Sequence, residues 1–224
     1  MSGTEAEALR VRLRTTPALT GPFPAFEVSR AEAAPGPLFL RWLTEALDDG
    51  VPEPHVTTLS TADERGRPSA RVLMLRDVDP DRCAFRFASE AASRKGRELA
   101  ANPYAALSWY WPRHGRQIRA AGPVAVLDRA AARADFLGRG EASRISGFTG
   151  SMSAPLESEG AYADARERAR RTVAAEPEAV PDGHTVYELR AEEMEFFQGD
   201  PARFHRRLCY HRQDGNWTSG LLWP

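Results

Sequence analysis

The chain of 224 residues is long enough for one large domain or two small ones, and its 42% hydrophobic and 27% charged residues exclude wholesale disorder. A formal net charge of −1 argues against a protein dominated by binding to nucleic acid or an anionic membrane. Of the 30 basic residues only Lys95 is a lysine and 29 are arginines, a bias that a GC-rich coding sequence explains. Two cysteines, Cys83 and Cys209, are too few for a disulfide scaffold, so a reduced, cytoplasmic protein is expected. The five histidines form no HExxH or Cys/His cluster, and no metal site is expected. No apolar run approaches the roughly 20 residues of a membrane span, and the first residues lack the apolar core of a secretory signal.

Residues 1–36, rich in Pro, Ala and Glu, show no sustained period and read as an irregular arm before a domain spanning 37–224. Pro37 opens a helix to about Asp49, with Leu38, Trp42, Leu43, Ala46 and Leu47 on one apolar face and Gly50 as its stop. Short strands follow. HVTTLST at 55–61 and SARVLMLRDV at 69–78 read as a hairpin, CAFRFAS at 83–89 as the next strand, and SRKGRELAANP at 93–103 as a short helix capped by Ser93. AALSWYW at 105–111 and RQIRAAGPVAVL at 116–127 form another hairpin. Helices are expected at 128–138 and 159–175, the second with a solvated RERARR face. Strands return at 184–189, 194–198, 204–212 and from 216. This order predicts a mainly β protein with helices, one domain whose barrel is closed by its C-terminal strands.

The usual catalytic signatures, GxSxG, the P-loop and a strand-borne GxGxxG, are absent. What remains is basic residues at strand ends and at a helix start. Arg71 and Arg76, five apart on one expected strand, project to opposite faces. Ser93-Arg94-Lys95 at a helix start offers backbone N–H groups, a hydroxyl and two cations, which suits a phosphate and equally suits a plain cap with solvated charges. Arg203, His205 and Arg207 share one face of an expected strand, either as an anion fork beside a titratable ring or as a salt-bridged surface strand.

Together these segments resemble the pyridoxamine 5′-phosphate oxidase family of FMN enzymes. The C-terminal signature of that family, Glu-(Phe/Trp)-Trp followed after five residues by Arg-x-His-x-Arg, is similar to Glu195-Phe196-Phe197 followed by Arg203-Phe204-His205-Arg206-Arg207, with Phe197 in place of the Trp. Arg71-Val72-Leu73-Met74-Leu75-Arg76, Ser93-Arg94-Lys95 and Arg116-Gln117-Ile118 resemble three further motifs. The resemblance covers about 37–224 and implies a homodimeric FMN-binding split barrel with two flavin sites at the interface. It implies that Arg71, Arg94 and Lys95 bind the FMN phosphate, that the backbone of Val72, Leu73 and Met74 and the edge at Ala88 and Ser89 line the flavin, and that Gln117, Ser153, Phe197 and Arg207 complete its site. Arg203 and His205 would be catalytic and face the substrate, with Arg76, Arg139 and Ser143 also on the substrate side.

Departures point to a branch. The vitamin enzyme's phosphate-gripping Lys and Tyr are replaced by Arg76 and Asp135, and Met152 replaces a Gln. Phe23-Pro24-Ala25-Phe26, Glu193-Met194-Glu195-Phe196 and the run from Arg203 to Leu208 resemble the FMN-dependent oxidases of phenazine biosynthesis. That likeness implies oxidation of a reduced, nitrogen-containing aromatic of the dihydrophenazine carboxylate type, with O₂ reduced to H₂O₂, in antibiotic biosynthesis. The alternatives are a pyridoxamine/pyridoxine 5′-phosphate oxidase and a non-catalytic flavin-binding module.

Overall fold

A computed structural model describes residues 3–150 and 152–224. Its helices are α1 (Gly3–Thr15), α2 (Pro35–Asp48), α3 (Arg94–Ala101), α4 (Arg129–Leu137), α5 (Glu141–Gly147) and α6 (Glu159–Ala175). Its strands are β1 (Val56–Ala62), β2 (Pro68–Met74), β3 (Asp77–Asp79), β4 (Ala84–Glu90), β5 (Tyr104–Trp111), β6 (Arg116–Val126), β7 (His184–Arg190), β8 (Glu193–Gln198), β9 (Arg206–Gln213) and β10 (Asn216–Leu222). All pairings are antiparallel. One path runs β10-β9-β8-β6-β5-β1-β2, and β7, β4 and β3 branch from β6.

The branch lies within β6. Its first part, Arg116 to Ala121, pairs with β8, and its end, Val124 to Val126, pairs with β7. Between them Gly122 passes so close to β7 that a Cβ would sit 2.0 Å from the Arg190 carbonyl oxygen. One curled sheet therefore closes only in part. Among the described residues the outer edge of β2 has no strand partner, and β4 beyond Arg86 pairs with β7 alone. These are the two edges, at 72–74 and 88–89, that the resemblance assigns to the flavin.

The core forms because α2 presents Leu38, Phe39, Trp42, Leu43 and Ala46 as one buried stripe. Trp42 meets Phe26 and Phe196 edge-on at 4.9 and 5.3 Å, and Phe39 meets Phe85 and Trp109 at 4.9 Å each. Each such side chain contributes about 1.5–3 kcal/mol by leaving water. β1 alternates, with Thr57, Leu59 and Thr61 buried and their neighbours half-buried, as a strand with one core face must.

Three expectations change. The first 36 residues are not irregular throughout: α1 forms at Gly3–Thr15, with Glu5 in its first turn and Arg12 and Arg14 in its last, complementing the helix dipole. It has no apolar stripe because it buries no face, and its Leu9, Val11 and Leu13 are exposed. Nor is the rest of the arm apart from the domain. Phe26 is in the core, Arg206 donates to its carbonyl at 2.6 Å, and the Tyr210 hydroxyl donates to the Glu32 carbonyl at 2.7 Å. The strand expected at 69–78 breaks at Met74, and the chain resumes as β3 after Arg76 has donated its backbone N–H to Arg86. Among the described residues no helix is long and apolar enough to cross a membrane.

Candidate active site

The cation cluster forms where β2, β1 and α3 meet. The Arg71 guanidinium donates to the Leu59 carbonyl at 3.2 Å, to Thr61 Oγ1 at 2.6 Å, to Ser69 Oγ, and to Glu98 Oε2 at 3.2 Å. Arg94 Nε donates to Glu98 Oε1 at 2.8 Å, one turn along α3. Thr61 and Ser69 also donate to Glu98, at 2.5 and 2.6 Å. Burial alone would raise the Glu98 pKa. The hydrogen bonds from Ser69, Thr61, Arg94 and Arg71 outweigh it and hold the carboxyl at about 2.

Lys95 lies beside this group, its Nζ 3.0 Å from Ser89 Oγ and 3.2 Å from Met152 Sδ. Burial, and then the charge of Arg71, lower its pKa. Ser93 caps α3, accepting from Gly96 N at 3.2 Å, and is fully buried. Its hydroxyl serves the cap, so the groups of the Ser-Arg-Lys motif able to meet a phosphate are its two cations, with Ser89 beside Lys95. Three cations, Arg71, Arg94 and Lys95, thus gather about two carboxylates, the buried Glu98 and, beside Lys95, Glu90, and the net positive charge that remains suits a phosphate. The residues present fit the FMN phosphate.

A cleft of about 780 Å³ opens beside Lys95. Ala88, Ser89, Arg139, Ser143 and Met152 line it, with Phe148, Leu156 and Tyr162 supplying apolar wall. Ser153 follows Met152 at φ +70° and is exposed. Behind the wall, Asp135 binds Arg76 Nε at 2.9 Å, Arg139 Nη2 at 2.6 Å and His184 Nε2 at 2.9 Å. Burial would raise the Asp135 pKa, but the hydrogen bonds of His184 and Arg76 and the charge of Arg139 drive it far below the usual carboxylate range.

On β2, Val72 and Met74 are exposed and Leu73 packs toward the core, which leaves the backbone of 72–74 on the open edge. Gln117 lies cross-strand from both Tyr110 and Phe197, its Nε2 3.5 Å from Ser108 Oγ. Arg207, cross-strand from Phe197, is bidentate to Glu195 at 2.7 and 3.1 Å and also donates to the Trp223 carbonyl. Arg119 is the other arginine on Glu195.

Arg203 and His205 do not share a strand face, because β9 begins only at Arg206. They lie in a loop turned by Asp200, whose carbonyl accepts from Arg203 N at 2.9 Å and whose carboxylate accepts from Ala202 N at 2.7 Å. Arg203 takes the left-handed conformation at φ +71°. His205 Nδ1 accepts from Asp200 N at 3.0 Å, and its ring lies 5.1 Å from that of Phe197. The neutral imidazole therefore carries its proton on Nε2, the nitrogen left to meet a ligand.

The expected residues fall into three groups: the cluster of Arg71, Arg94, Lys95 and Ser89 with its cleft, the Arg76–Asp135–Arg139 wall, and the Phe197–His205 loop region. Glu98, Glu195 and His184 were not among the sequence candidates. Two of them had a visible sign: Glu98 by its i,i+4 spacing from Arg94 on an expected helix, and Glu195 as the first residue of the C-terminal signature.

The sequence model of the pyridoxamine 5′-phosphate oxidase family matches residues 43–198, and that of the pyridoxine 5′-phosphate oxidase C-terminal dimerisation region matches 184–224. A pyridoxine/pyridoxamine 5′-phosphate oxidase of Paraburkholderia phymatum is 38% identical over 201 residues, 89% of this chain and 93% of that one. Its namesake in Salinispora arenicola is 39% identical over 188 residues, 83% of this chain and 84% of that one. Among solved structures, PhzG of Burkholderia lata in complex with tetrahydrophenazine-1-carboxylic acid superposes with a TM-score of 0.85 at 29% identity, covering 91% of this chain and all of that one. An FMN-binding protein of Nostoc punctiforme shares the fold at a TM-score of 0.71 and 21% identity, covering 87% of this chain and all of that one.

Proposed function

The chain belongs to the pyridoxamine 5′-phosphate oxidase family, as an FMN-dependent oxidase built for a homodimer, and we propose that it oxidises a reduced, nitrogen-containing aromatic carboxylate of the dihydrophenazine type. The observation that carries this reading is the character of the cleft. Its wall holds Phe148, Leu156, Tyr162 and Met152, and among the described lining residues Arg139 is the only arginine or lysine. Apolar walls favour an aromatic ring, and a single guanidinium is scant provision for a phosphate dianion. The likeness to PhzG, solved with a tetrahydrophenazine carboxylic acid, supports it.

FMN, when bound, supplies the two-electron acceptor and passes the electrons to O₂, giving H₂O₂. The chain positions and polarises. Arg71, Arg94 and Lys95 hold the phosphate, and the open edges at 72–74 and 88–89 offer backbone groups to the ring system. Arg203 pairs with the substrate carboxylate. His205, protonated on Nε2 when neutral, donates a hydrogen bond and orients the substrate; with Nδ1 engaged by Asp200 it is not set up as a base. The oxidation gains aromaticity, so a weakly basic site suffices. A homodimer lets the loop of one copy serve the cleft of the other.

The curated relatives support a second reading, oxidation of pyridoxine 5′-phosphate, and Arg139 with Ser143 on the wall is the feature that fits it. Anaerobic addition of a dihydrophenazine carboxylate to the flavin-loaded enzyme is expected to bleach the flavin absorbance, and air to restore it. Bleaching by pyridoxine 5′-phosphate alone would replace the first reading with the second.

A further inference from the structure

We infer that Asp135 is a specificity-determining residue: an internal carboxylate that occupies the donors of a latent anion site in the cleft wall and so excludes substrates bearing a dianionic group. The inference rests on reading the cleft as the substrate side of the flavin site.

Three separate elements send a donor to this one side chain. Arg76 comes from the bend between β2 and β3, Arg139 from just beyond the end of α4, and His184 from the first position of β7. Asp135 Oδ2 accepts from both Nε and Nη2 of Arg139, at 3.0 and 2.6 Å, and from His184 Nε2 at 2.9 Å. Its Oδ1 takes Arg76 Nε at 2.9 Å. The side chain is 12% exposed, so these contacts form largely out of water and are weakly screened.

Two guanidiniums, an imidazole and the nearby Ser143 form the kind of constellation that binds a phosphate or sulfate. Here the anion belongs to the protein. With the Nε–Nη2 edge of Arg139 turned to Asp135, the cleft is offered only what remains of that guanidinium. Arg139, His184 and Ser143 all line the cleft, so a bound dianion would lie against the same wall as the Asp135 carboxylate. Glu90, also on the lining, adds a second negative charge. Repulsion of this kind discriminates by penalising the wrong ligand rather than by rewarding the right one. A single, delocalised carboxylate, which Arg203 pairs with, carries less charge and is tolerated.

The test uses the FMN-loaded protein, so that the flavin phosphate site is already filled. In the wild type, pyridoxine 5′-phosphate and unphosphorylated pyridoxine are compared as competitors of the reduced aromatic substrate. The phosphate is expected to add no affinity, and a phosphate ester binding at least about tenfold tighter than the alcohol would overturn the inference, whatever the natural substrate. In Asp135→Asn, which keeps the size and removes the charge, inorganic phosphate and pyridoxine 5′-phosphate are expected to bind at least about tenfold more tightly than to the wild type. A folded, flavin-loaded variant with no such gain would also overturn it. Failure of the wild type to oxidise any reduced phenazine, with phosphate still adding no affinity, would instead remove the proposed reaction and leave the role of Asp135 standing.

Discussion

At the residue scale the site is a set of arginines, each held by a carboxylate behind it: Arg71 and Arg94 by Glu98, Arg76 and Arg139 by Asp135, Arg119 and Arg207 by Glu195. At Glu98 such pairing fixes the guanidiniums of Arg71 and Arg94 before a ligand arrives, which lowers the ordering cost of binding, and Lys95 adds a further cation; at Asp135 it takes up the donors instead. Arg71→Ala is therefore expected to weaken FMN binding by at least about tenfold, or 1.4 kcal/mol, in a flavin titration. Arg203→Ala should keep FMN and lose turnover, and equal flavin loss in both variants would contradict the division of roles. Lys95 must be charged to hold a phosphate, and its pKa lies below the ordinary 10.5. FMN affinity should accordingly fall as pH rises through that lowered value, earlier than for an exposed lysine. Glu98, held near 2, contributes stability that is fully present above its unfolded pKa and is lost as pH falls toward 2. The contribution is on the order of 3 kcal/mol, and Glu98→Gln should flatten the acid limb of the stability profile. Some of this was legible from spacing alone, as with Arg94 and Glu98. Of the partners of Asp135, Arg139 lies at the same i,i+4 spacing, but Arg76 lies 59 positions upstream and His184 49 downstream, and no local pattern connects those two to it.

At the scale of elements, strands with one core face were legible because alternation survives in the sequence, as in β1. Three features were hidden by what alternation and periodicity cannot report. α1 is helical without an apolar stripe, so only its propensity and end charges mark it. Arg203 and His205 fit a strand by parity, yet Pro201 and the Asp200 turn hold them in a loop. The break after Met74 frees Arg76 from the strand of Arg71 and lets it reach Asp135. β6 carries the fold's branch, and it can do so only with a glycine at 122, where any Cβ meets backbone that has no room to move. Gly122→Val should destabilise by at least about 1–3 kcal/mol in denaturant unfolding, by forcing β6 and β7 apart. A neutral result would mean that the two strands separate freely and that the branch is not a fixed point.

For the molecule as a whole, the sequence pattern indicated a barrel, and the resemblance indicated that it is split. The structure shows why the split exists: β2 and the far part of β4 each keep an unpaired edge. Open edges and exposed apolar side chains need cover. Val72, Met74, Leu221 and Trp223 are all exposed in the single chain, Trp223 at 92%; the first two lie on the open-edged β2 and the last two in the segment that matches the family's dimerisation region. Light scattering should give about 49 kDa, twice the 24.7 kDa chain. Deleting 216–224 should yield a monomer that also loses FMN, and a flavin-loaded monomer would contradict a site shared between copies.

We propose a flavin site that serves an aromatic carboxylate and not a phosphate ester. The most direct test is the ratio of kcat/KM for a dihydrophenazine carboxylate and for pyridoxine 5′-phosphate, measured on one flavin-loaded preparation by O₂ consumption. A preference of at least about 100-fold for the dihydrophenazine, some 2.7 kcal/mol of transition-state discrimination, is expected. Equal values, or a preference for the phosphate ester, would contradict the account.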